Sequence, residues 1–371
     1  MAKLEKIRSF IKKEFVLCVS ALLAIVTVFL VPPDKEYLHY IDFRVLCLLM
    51  CLMAVVAGLR SIGVFSWLTF HLLKRIKSGK VLGSALVMLP FFSSMLVTND
   101  VALIVFVPFT IALLSRLKLE KQTIAVTVLQ TVAANLGSMA TPVGNPQNLF
   151  LYSAFGLSAS DFFSVTIPLT AVSLIALVIA STFLLPKKLN AQSPEKEVIS
   201  SKVKLLVFIV LFTLSLLTVF RIIPYQLTTV ITVSVFLILD RNSFRNVDFI
   251  LLLTFICFFV ISENLGRVEA VRSFLQNLLE RSTLLTSVGA SQVISNVPAA
   301  VLLSGFTDKW QEILAGVNIG GLGTPVASLA SLITLKFYMK SENAKPMNFL
   351  AVFTLVNIIF FGILLAFTFI I

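Results

Sequence analysis

A polar, helix-breaking stretch occurs twice in this chain, each time inside a long uncharged hydrophobic run. The first copy reads Asn135-Leu136-Gly137-Ser138-Met139-Ala140-Thr141-Pro142-Val143-Gly144-Asn145 and the second Asn318-Ile319-Gly320-Gly321-Leu322-Gly323-Thr324-Pro325-Val326-Ala327-Ser328. They align without a gap at a constant offset of 183 positions, from Asn135 to Asn318. Unwound backbone survives in a bilayer only where it is buried in protein or lines a polar cavity. Breaks duplicated at corresponding positions of two halves point to the binding site of a transporter.

A second duplicated pair precedes the first. Val97-Thr98-Asn99-Asp100-Val101-Ala102 answers to Ile294-Ser295-Asn296-Val297-Pro298-Ala299, here at an offset of 197. Each half thus carries two polar elements in the same order. The shorter spacing in the second half is the expected result if only a surface loop changed length.

The surroundings of these elements are membrane-like. The chain has 371 residues, of which 58% are hydrophobic and 13% charged, and it contains 33 Phe, a composition that excludes a soluble domain. Its net charge of +12 is not a nucleic-acid patch, because Lys and Arg gather in short loops between apolar runs and so report topology. The partners are a lipid bilayer and a small solute, with no nucleic acid. Cys18, Cys47, Cys51 and Cys257 show no metal-ligand spacing and read as small packing residues, while His39 and His71 have no metal partner. Trp67 and Trp310 suit interfacial anchoring.

Lys3, Lys6, Arg8, Lys12 and Lys13 precede a first span at 15–31, which reads as retained and places the N-terminus in the cytoplasm. Residues 1–42 are a tail, this span and an outer loop; 43–185 form a first repeat. Within it, 62–73 is too short to cross and lies along the interface. The run 81–115 is bracketed by Lys74, Arg75, Lys77 and Lys80 on one side and Arg116, Lys118 and Lys121 on the other. A re-entrant hairpin tipped by Thr98-Asn99-Asp100 satisfies those flanks, and two full crossings satisfy them equally. No charge occurs from 122 to 160, a run too long for one straight span; a broken helix over 122–150 accounts for it.

Residues 186–222 are a cytoplasmic linker with Lys187, Lys188, Lys196, Lys202 and Lys204, followed by one connecting span. That single crossing inverts the second half of the chain, so parity predicts an inverted repeat over 223–371. In it, an amphipathic segment at 266–281 corresponds to 62–73, a hairpin at 282–307 has Ser295-Asn296 at its tip, and a second broken helix covers 311–338. Glu263 is expected to end its helix at the outer interface. The count is nine crossings and two hairpins, with the C-terminus outside. The expected fold is an all-α polytopic membrane protein of the cell membrane: an inverted repeat with two re-entrant hairpins and two broken helices.

Hydroxyl, carboxamide and freed backbone oxygens at these four elements are hard donors able to replace the water shell of a small cation. Candidate coupling-ion residues are Thr98, Asn99, Asp100, Asn135, Gly137 and Thr141 in the first half, and Ser295, Asn296, Asn318, Gly320 and Thr324 in the second. The expected grouping is Asn135 with Thr141 and Asn145, and Asn318 with Thr324 and Ser328. Half-helix N-termini at the breaks offer free N–H groups and positive dipole ends to an anion. The substrate-binding candidates are therefore Thr98, Asn99, Asn145, Asn148, Ser295, Asn296 and Ser328. Gln147 and Asn148 either orient substrate or satisfy backbone. Asp100 is the only ionisable residue from 81 to 115, and a carboxylate at helix centre costs about 2.5–3.5 kcal/mol. A bound Na+, a proton carried through the cycle, or an N-cap on the following helix could each offset that cost. Val297 stands at the equivalent position.

These residues, above all Thr98-Asn99-Asp100, Asn135 to Asn148, Ser295-Asn296-Val297-Pro298 and Asn318 to Ser328, resemble the ion transporter superfamily of divalent anion/sodium symporters, citrate transporters, arsenite permeases and sodium/proton antiporters. The resemblance runs from about residue 43 onward. It implies an elevator-type secondary transporter, with hairpins and broken helices in a mobile domain and the other spans in a scaffold that pairs as a homodimer. It implies a first site of Thr98, Asn99, Asn135 and Thr141 and a second of Ser295, Asn296, Asn318 and Thr324, without a cofactor beyond Na+ or H+ as coupling ion. The dicarboxylate branch carries Ser-Asn-Thr at both tips, whereas this chain carries Thr-Asn-Asp and Ser-Asn-Val. The leading function is ion-coupled transport of a small anion such as citrate; arsenite or antimonite efflux and sodium/proton antiport are alternatives of the same fold, and an ion channel is one of another class. An enzyme is excluded by the lack of any paired nucleophile and base in the core.

Overall fold

A computed structural model describes residues 14–73, 76, 78–186, 198–341 and 344–370. The described residues form helices and no sheet, an all-α membrane fold. The basic residues at 3–13, at 74, 75 and 77, and at 187, 188 and 196, on which the orientation expectation partly rests, lie outside them.

Among the described residues the helices fall into two series of eight in the same order. The first is α1 (Phe15–Leu30), α2 (Phe43–Ser61), α3 (Val64–Leu73), α4 (Gly79–Ser94), α5 (Asn99–Arg116), α6 (Thr123–Ser138), α7 (Pro146–Ala154) and α8 (Ala159–Ser181). After a connecting helix α9 (Lys202–Val219), the second is α10 (Tyr225–Leu239), α12 (Phe249–Arg267), α13 (Glu269–Arg281), α14 (Thr283–Ile294), α15 (Asn296–Ser304), α16 (Trp310–Gly320), α17 (Leu329–Tyr338) and α18 (Pro346–Thr368), with one extra turn, α11 (Arg241–Phe244), after α10. Local chemistry starts equivalent helices in the same way. Asp42 caps α2 by accepting from Val45 N at 3.0 Å, and Asp248 caps α12 by accepting from Leu251 N at 2.9 Å. Packing is exchanged between the series, α1 lying on α12 and α10 on α2.

Two sequence expectations are corrected. The shortening of the second half is in the helices and not in a surface loop: α15 has 9 residues where α5 has 18, and α16 has 11 where α6 has 16. Removing turns at the ends remote from the polar elements leaves the tips and breaks in register, which is why the motifs still align. Glu263 does not end its helix. Helix α12 runs on to Arg267, whose guanidinium is held by Asp34 at 2.7 Å and by the Tyr40 hydroxyl at 2.8 Å.

Among the described residues six helical segments are long and apolar enough to cross a membrane: α2, α5, α8, α9, the segment Arg241–Arg267 containing α12, and α18. The set includes five of the seven unbroken crossings expected; α1 and α10 are shorter, at 16 and 15 residues. Its sixth member, α5, is the returning arm expected of the first hairpin.

Two apolar cores hold the polar elements in place. One joins Leu48 of α2 and Phe259 of α12 to Phe150 of α7 and Ala300 of α15. The other joins Val87, Leu136 and Leu177 of α4, α6 and α8 to Leu284, Ile319 and Phe360 of α14, α16 and α18. The end of α7 is tied to the chain after α9, where Arg221 donates to Gly156 O at 2.8 Å and Tyr152 O at 3.2 Å. Those bonds satisfy carbonyls that a helix C-terminus leaves free.

Candidate functional site

Each break sits against the tip of its own hairpin through a matched set of backbone contacts. Asn99 N donates to Gly144 O at 3.2 Å, and Asn296 N donates to Ala327 O at 3.0 Å. Thr141 Oγ1 donates to Met95 O at 2.5 Å, and Thr324 Oγ1 to Gln292 O at 3.3 Å. Every partner is displaced by the offset of its own motif, so both halves use one construction. The two threonines, expected beside Asn135 and Asn318, instead staple the break to the first arm of the hairpin. Thr141 is half-buried and Thr324 exposed.

The close approach depends on missing side chains. A Cβ on Gly137 would lie 2.0 Å from Phe91 O, and one on Gly320 would lie 2.6 Å from Ser291 Cβ. Both glycines let the broken helix touch the hairpin, a packing role that the sequence reading as ion ligands did not contain.

The side-chain clusters form between the halves. Asn135 Oδ1 accepts from Asn99 Nδ2 at 3.0 Å and from Ser328 Oγ at 3.0 Å, and Asn135 Nδ2 reaches Gly321 O at 3.5 Å. In the equivalent cluster Asn318 Oδ1 accepts from Asn145 Nδ2 at 3.3 Å, and Asn318 Nδ2 donates to Asn148 Oδ1 at 2.7 Å and Leu314 O at 2.8 Å. Asn135 meets Ser328 and Asn318 meets Asn145, so the expected grouping within each half is corrected. The residue ending one half-helix lies beside the residue restarting the other, and each carboxamide finds its partner across that contact. All six of these residues, Asn99, Asn135, Asn145, Asn148, Asn318 and Ser328, are buried.

The restarting helices differ. Asn145 Oδ1 caps α7, accepting from Asn148 N at 2.9 Å, and Asn148 Nδ2 reaches Met139 O and Thr141 O at 3.3 and 3.4 Å. Asn148 thus serves loop carbonyls with its Nδ2 and Asn318 with its Oδ1. Ser328 gives α17 no side-chain cap, because its hydroxyl is directed to Asn135, and the Ser331 hydroxyl in the same first turn is buried without a hydrogen-bond partner among the described residues. Gln147 is buried, and no hydrogen bond holds its side chain among the described residues.

The tips also differ. Thr98 is extended and makes no capping bond, whereas Ser295 has φ +73° and ψ +155°, a region nearly reserved for glycine. Ser295 Oγ donates to Ala327 O at 3.2 Å. Asp100 is half-buried in the first turn of α5 and does not cap it; Asn99 Oδ1 accepts from Asp100 N at 3.0 Å. Among the described residues no donor reaches the Asp100 carboxylate.

Sequence reasoning missed two glutamines. Gln292 ties hairpin to break by donating to Gly320 O and Leu322 O at 2.7 and 2.8 Å and accepting from Thr324 N at 2.9 Å. Gln130 donates to Leu86 O and Thr110 Oγ1, both at 2.8 Å. The available signal was the presence of a long carboxamide in an uncharged run, where an unpaired polar group is costly. Among the described residues no group of three or more His, Cys, Asp or Glu could hold a metal ion.

Buried polar clusters at paired helix breaks, carried on membrane-spanning helices, define a class: a secondary-active membrane transporter. The citrate transporter family model matches residues 6–308, and the chain belongs to that family. It is 32% identical over 333 residues to an uncharacterized transporter of Methanocaldococcus jannaschii, covering 90% of this chain and 91% of that one. It is 30% identical over 312 residues to the inner membrane protein YbiR of Escherichia coli, covering 83% of each. A more distant likeness, 28% over 133 residues, covers 36% of this chain and 23% of a Dictyostelium discoideum transporter designated arsB. Family membership makes the role one of transport, not catalysis.

Proposed function

We propose that the chain couples a small cation to the transport of a small anion, citrate or another carboxylate, through an inverted-repeat elevator. The observation that carries this reading is the uncapped N-terminus of α17, which opens beside the Asn99, Asn135 and Ser328 cluster. Unpaired N–H groups at a helix start attract a carboxylate without a basic side chain, and carboxamide and hydroxyl oxygens close by suit Na+. The family description, citrate transporter, supports the same substrate class. In this reading Thr98, Asn99, Asn145, Asn148, Ser295, Asn296 and Ser328 surround the anion. Thr98, Asn99, Asp100, Asn135, Gly137 and Thr141 hold one coupling ion, and Ser295, Asn296, Asn318, Gly320 and Thr324 a second.

The exchanged packing of α1 on α12 and α10 on α2 supports an inverted repeat; paired in this way, the first unit begins at α1 and not at residue 43. The arms α14 and α15, about 18 and 13 Å long at 1.5 Å per residue, fall short of a bilayer core of about 30 Å, which supports re-entry from one face. The hairpins and broken helices would move as one body against a scaffold of α1, α2, α9, α10 and α12. The N-terminus is cytoplasmic, the C-terminus outside, and two copies pair through their scaffolds.

Thermal stabilisation of the purified protein tests this reading, because a ligand bound to the folded state raises apparent stability by mass action. Na+, Li+ and pH are varied, with citrate, succinate, sulfate, arsenite and antimonite added singly. Stabilisation by citrate or succinate that requires Na+ is expected. Arsenite or antimonite as the stabilising solute would replace the substrate class by metalloid efflux. The unpaired Asp100 carboxylate favours sodium/proton antiport as a second reading: stabilisation by Na+ or pH alone, lost in Asp100→Asn, would establish it.

A further inference from the structure

A cavity of about 490 Å³ lies at the far end of α5 from the polar tip, between the last turns of α5 and α17 and the start of α6. Its lining includes Ile111, which is about 18 Å from Asn99 along α5 at 1.5 Å per residue, so it is separate from the break cluster. Along α5 its lining passes from apolar Pro108, Ile111 and Ala112 to polar Ser115 and then, beyond its end, to Glu120, while Phe337, Tyr338 and Lys340 come from the end of α17 and the turn after it. The apolar side lies along a helix long enough to span, and the polar side gathers where that helix ends at Arg116. Such a division matches a membrane boundary, and it matches an amphiphile better than a free solute.

The charges in the cavity are set apart. Glu120 and Lys340 are both exposed and line the same space, yet no ion pair joins them and neither has another charged partner among the described residues. The buried Tyr338 is fixed by its ring stacked on Phe349 at 4.9 Å, and its hydroxyl accepts from Lys345 N at 3.0 Å, leaving its proton to donate. A carboxylate set apart from an ammonium and a phenol is complementary to a zwitterion that carries both an amine and a phosphate.

We propose that this cavity binds the headgroup of an amine-bearing glycerophospholipid. Its ammonium pairs with Glu120 and its phosphate with Lys340 and the Tyr338 hydroxyl, as charge-assisted hydrogen bonds. One acyl chain lies along Pro108, Ile111 and Phe337. Anionic lipids lacking the amine meet Glu120 as a repulsive charge. The site joins the returning arm of one hairpin to the broken helix of the other half, so an occupying lipid would brace the two together.

Native mass spectrometry of the full chain, delipidated in detergent and titrated with phosphatidylethanolamine, phosphatidylcholine or phosphatidylglycerol, tests the assignment. One phosphatidylethanolamine is expected to bind at least fivefold more tightly than either other lipid. Glu120→Gln should abolish that preference, and Lys340→Gln should weaken all three lipids. Equal binding of the three to the wild-type chain, or wild-type behaviour in both variants, would overturn the proposal. Glycerophosphoethanolamine is the soluble control: if it binds as tightly as the lipid, the apolar wall contributes nothing and the lipid assignment falls.

Discussion

The two breaks share a construction and differ in how completely they satisfy themselves. In the first, Asn145 caps α7, Asn148 spans the loop carbonyls, and the tip at Thr98 is relaxed. In the second, Ser328 leaves α17 uncapped, the Ser331 hydroxyl is buried alone, and Ser295 holds a conformation suited to glycine. Unpaired buried groups cost free energy, and a strained residue about 1–3 kcal/mol. Under the proposed function, the difference makes the uncapped start of α17 the end of the site that a bound anion would complete.

The largest effect expected is from the carboxamides that both breaks use. Asn99→Ala and Asn135→Ala strip the first cluster, and Asn296→Ala strips the second tip. Each should abolish ion-coupled uptake in proteoliposomes while inserting at wild-type levels. Wild-type uptake in both tip variants, Asn99→Ala and Asn296→Ala, would remove the proposed site altogether.

Next come the two glycines, which sharpen the comparison in terms of stability. A methyl on Gly137 meets the Phe91 carbonyl at 2.0 Å, a backbone atom that cannot turn away. On Gly320 the nearest atom is Ser291 Cβ at 2.6 Å, which is fixed to the hairpin backbone and cannot turn away either, but the overlap is smaller. Overpacking costs about 1–3 kcal/mol and sometimes more. Gly137→Ala should lie at or above the top of that range and Gly320→Ala lower, within it, read as the loss of melting temperature in detergent. Equal losses would mean the two hairpins are equally rigid.

Much of this comparison was legible in the sequence, and its gaps have a physical cause. Both breaks and both tips could be found because helix-breaking, polar sequence is expensive inside an apolar run wherever it occurs, and duplication rules out accident. The crossing of partners, Asn135 to Ser328 and Asn318 to Asn145, was not legible. Spacing along one chain carries the half-helix but not the neighbour that its end meets. The same limit hid Gln292, whose three bonds all go to a segment some thirty residues away, from Gly320 to Thr324. It also hid the bonds by which Thr141 and Thr324 staple each break to its hairpin.

The cap itself can be exchanged. Ser328→Asn gives α17 the residue that closes α7, long enough to accept from the first turn while still donating to Asn135, as Asn145 does to Asn318. A side-chain cap stabilises by about 1 kcal/mol, so the variant should melt higher without ligand. It should also bind the anion about tenfold more weakly, because the carboxamide competes for the first-turn N–H groups, of which Ser331 N already donates to Ser328 O at 3.0 Å; about 1.4 kcal/mol corresponds to a factor of ten. Higher stability with unchanged anion affinity would locate the anion elsewhere.

The smallest expected difference is between the tips. Glycine costs roughly 0.5–1 kcal/mol where the backbone is ordinary, since it loses more freedom on folding. Thr98 has φ −60° and ψ +152°, so Thr98→Gly should pay that cost in full. Ser295 sits at φ +73°, where glycine meets no Cβ penalty, and relief of strain there opposes both the entropy and the loss of its bond to Ala327 O. Ser295→Gly should therefore be close to neutral in thermal stability while Thr98→Gly is destabilised. If Ser295→Gly costs as much as Thr98→Gly, the second tip stores no strain, and the contrast between the two breaks rests on the α17 cap and the Ser331 hydroxyl.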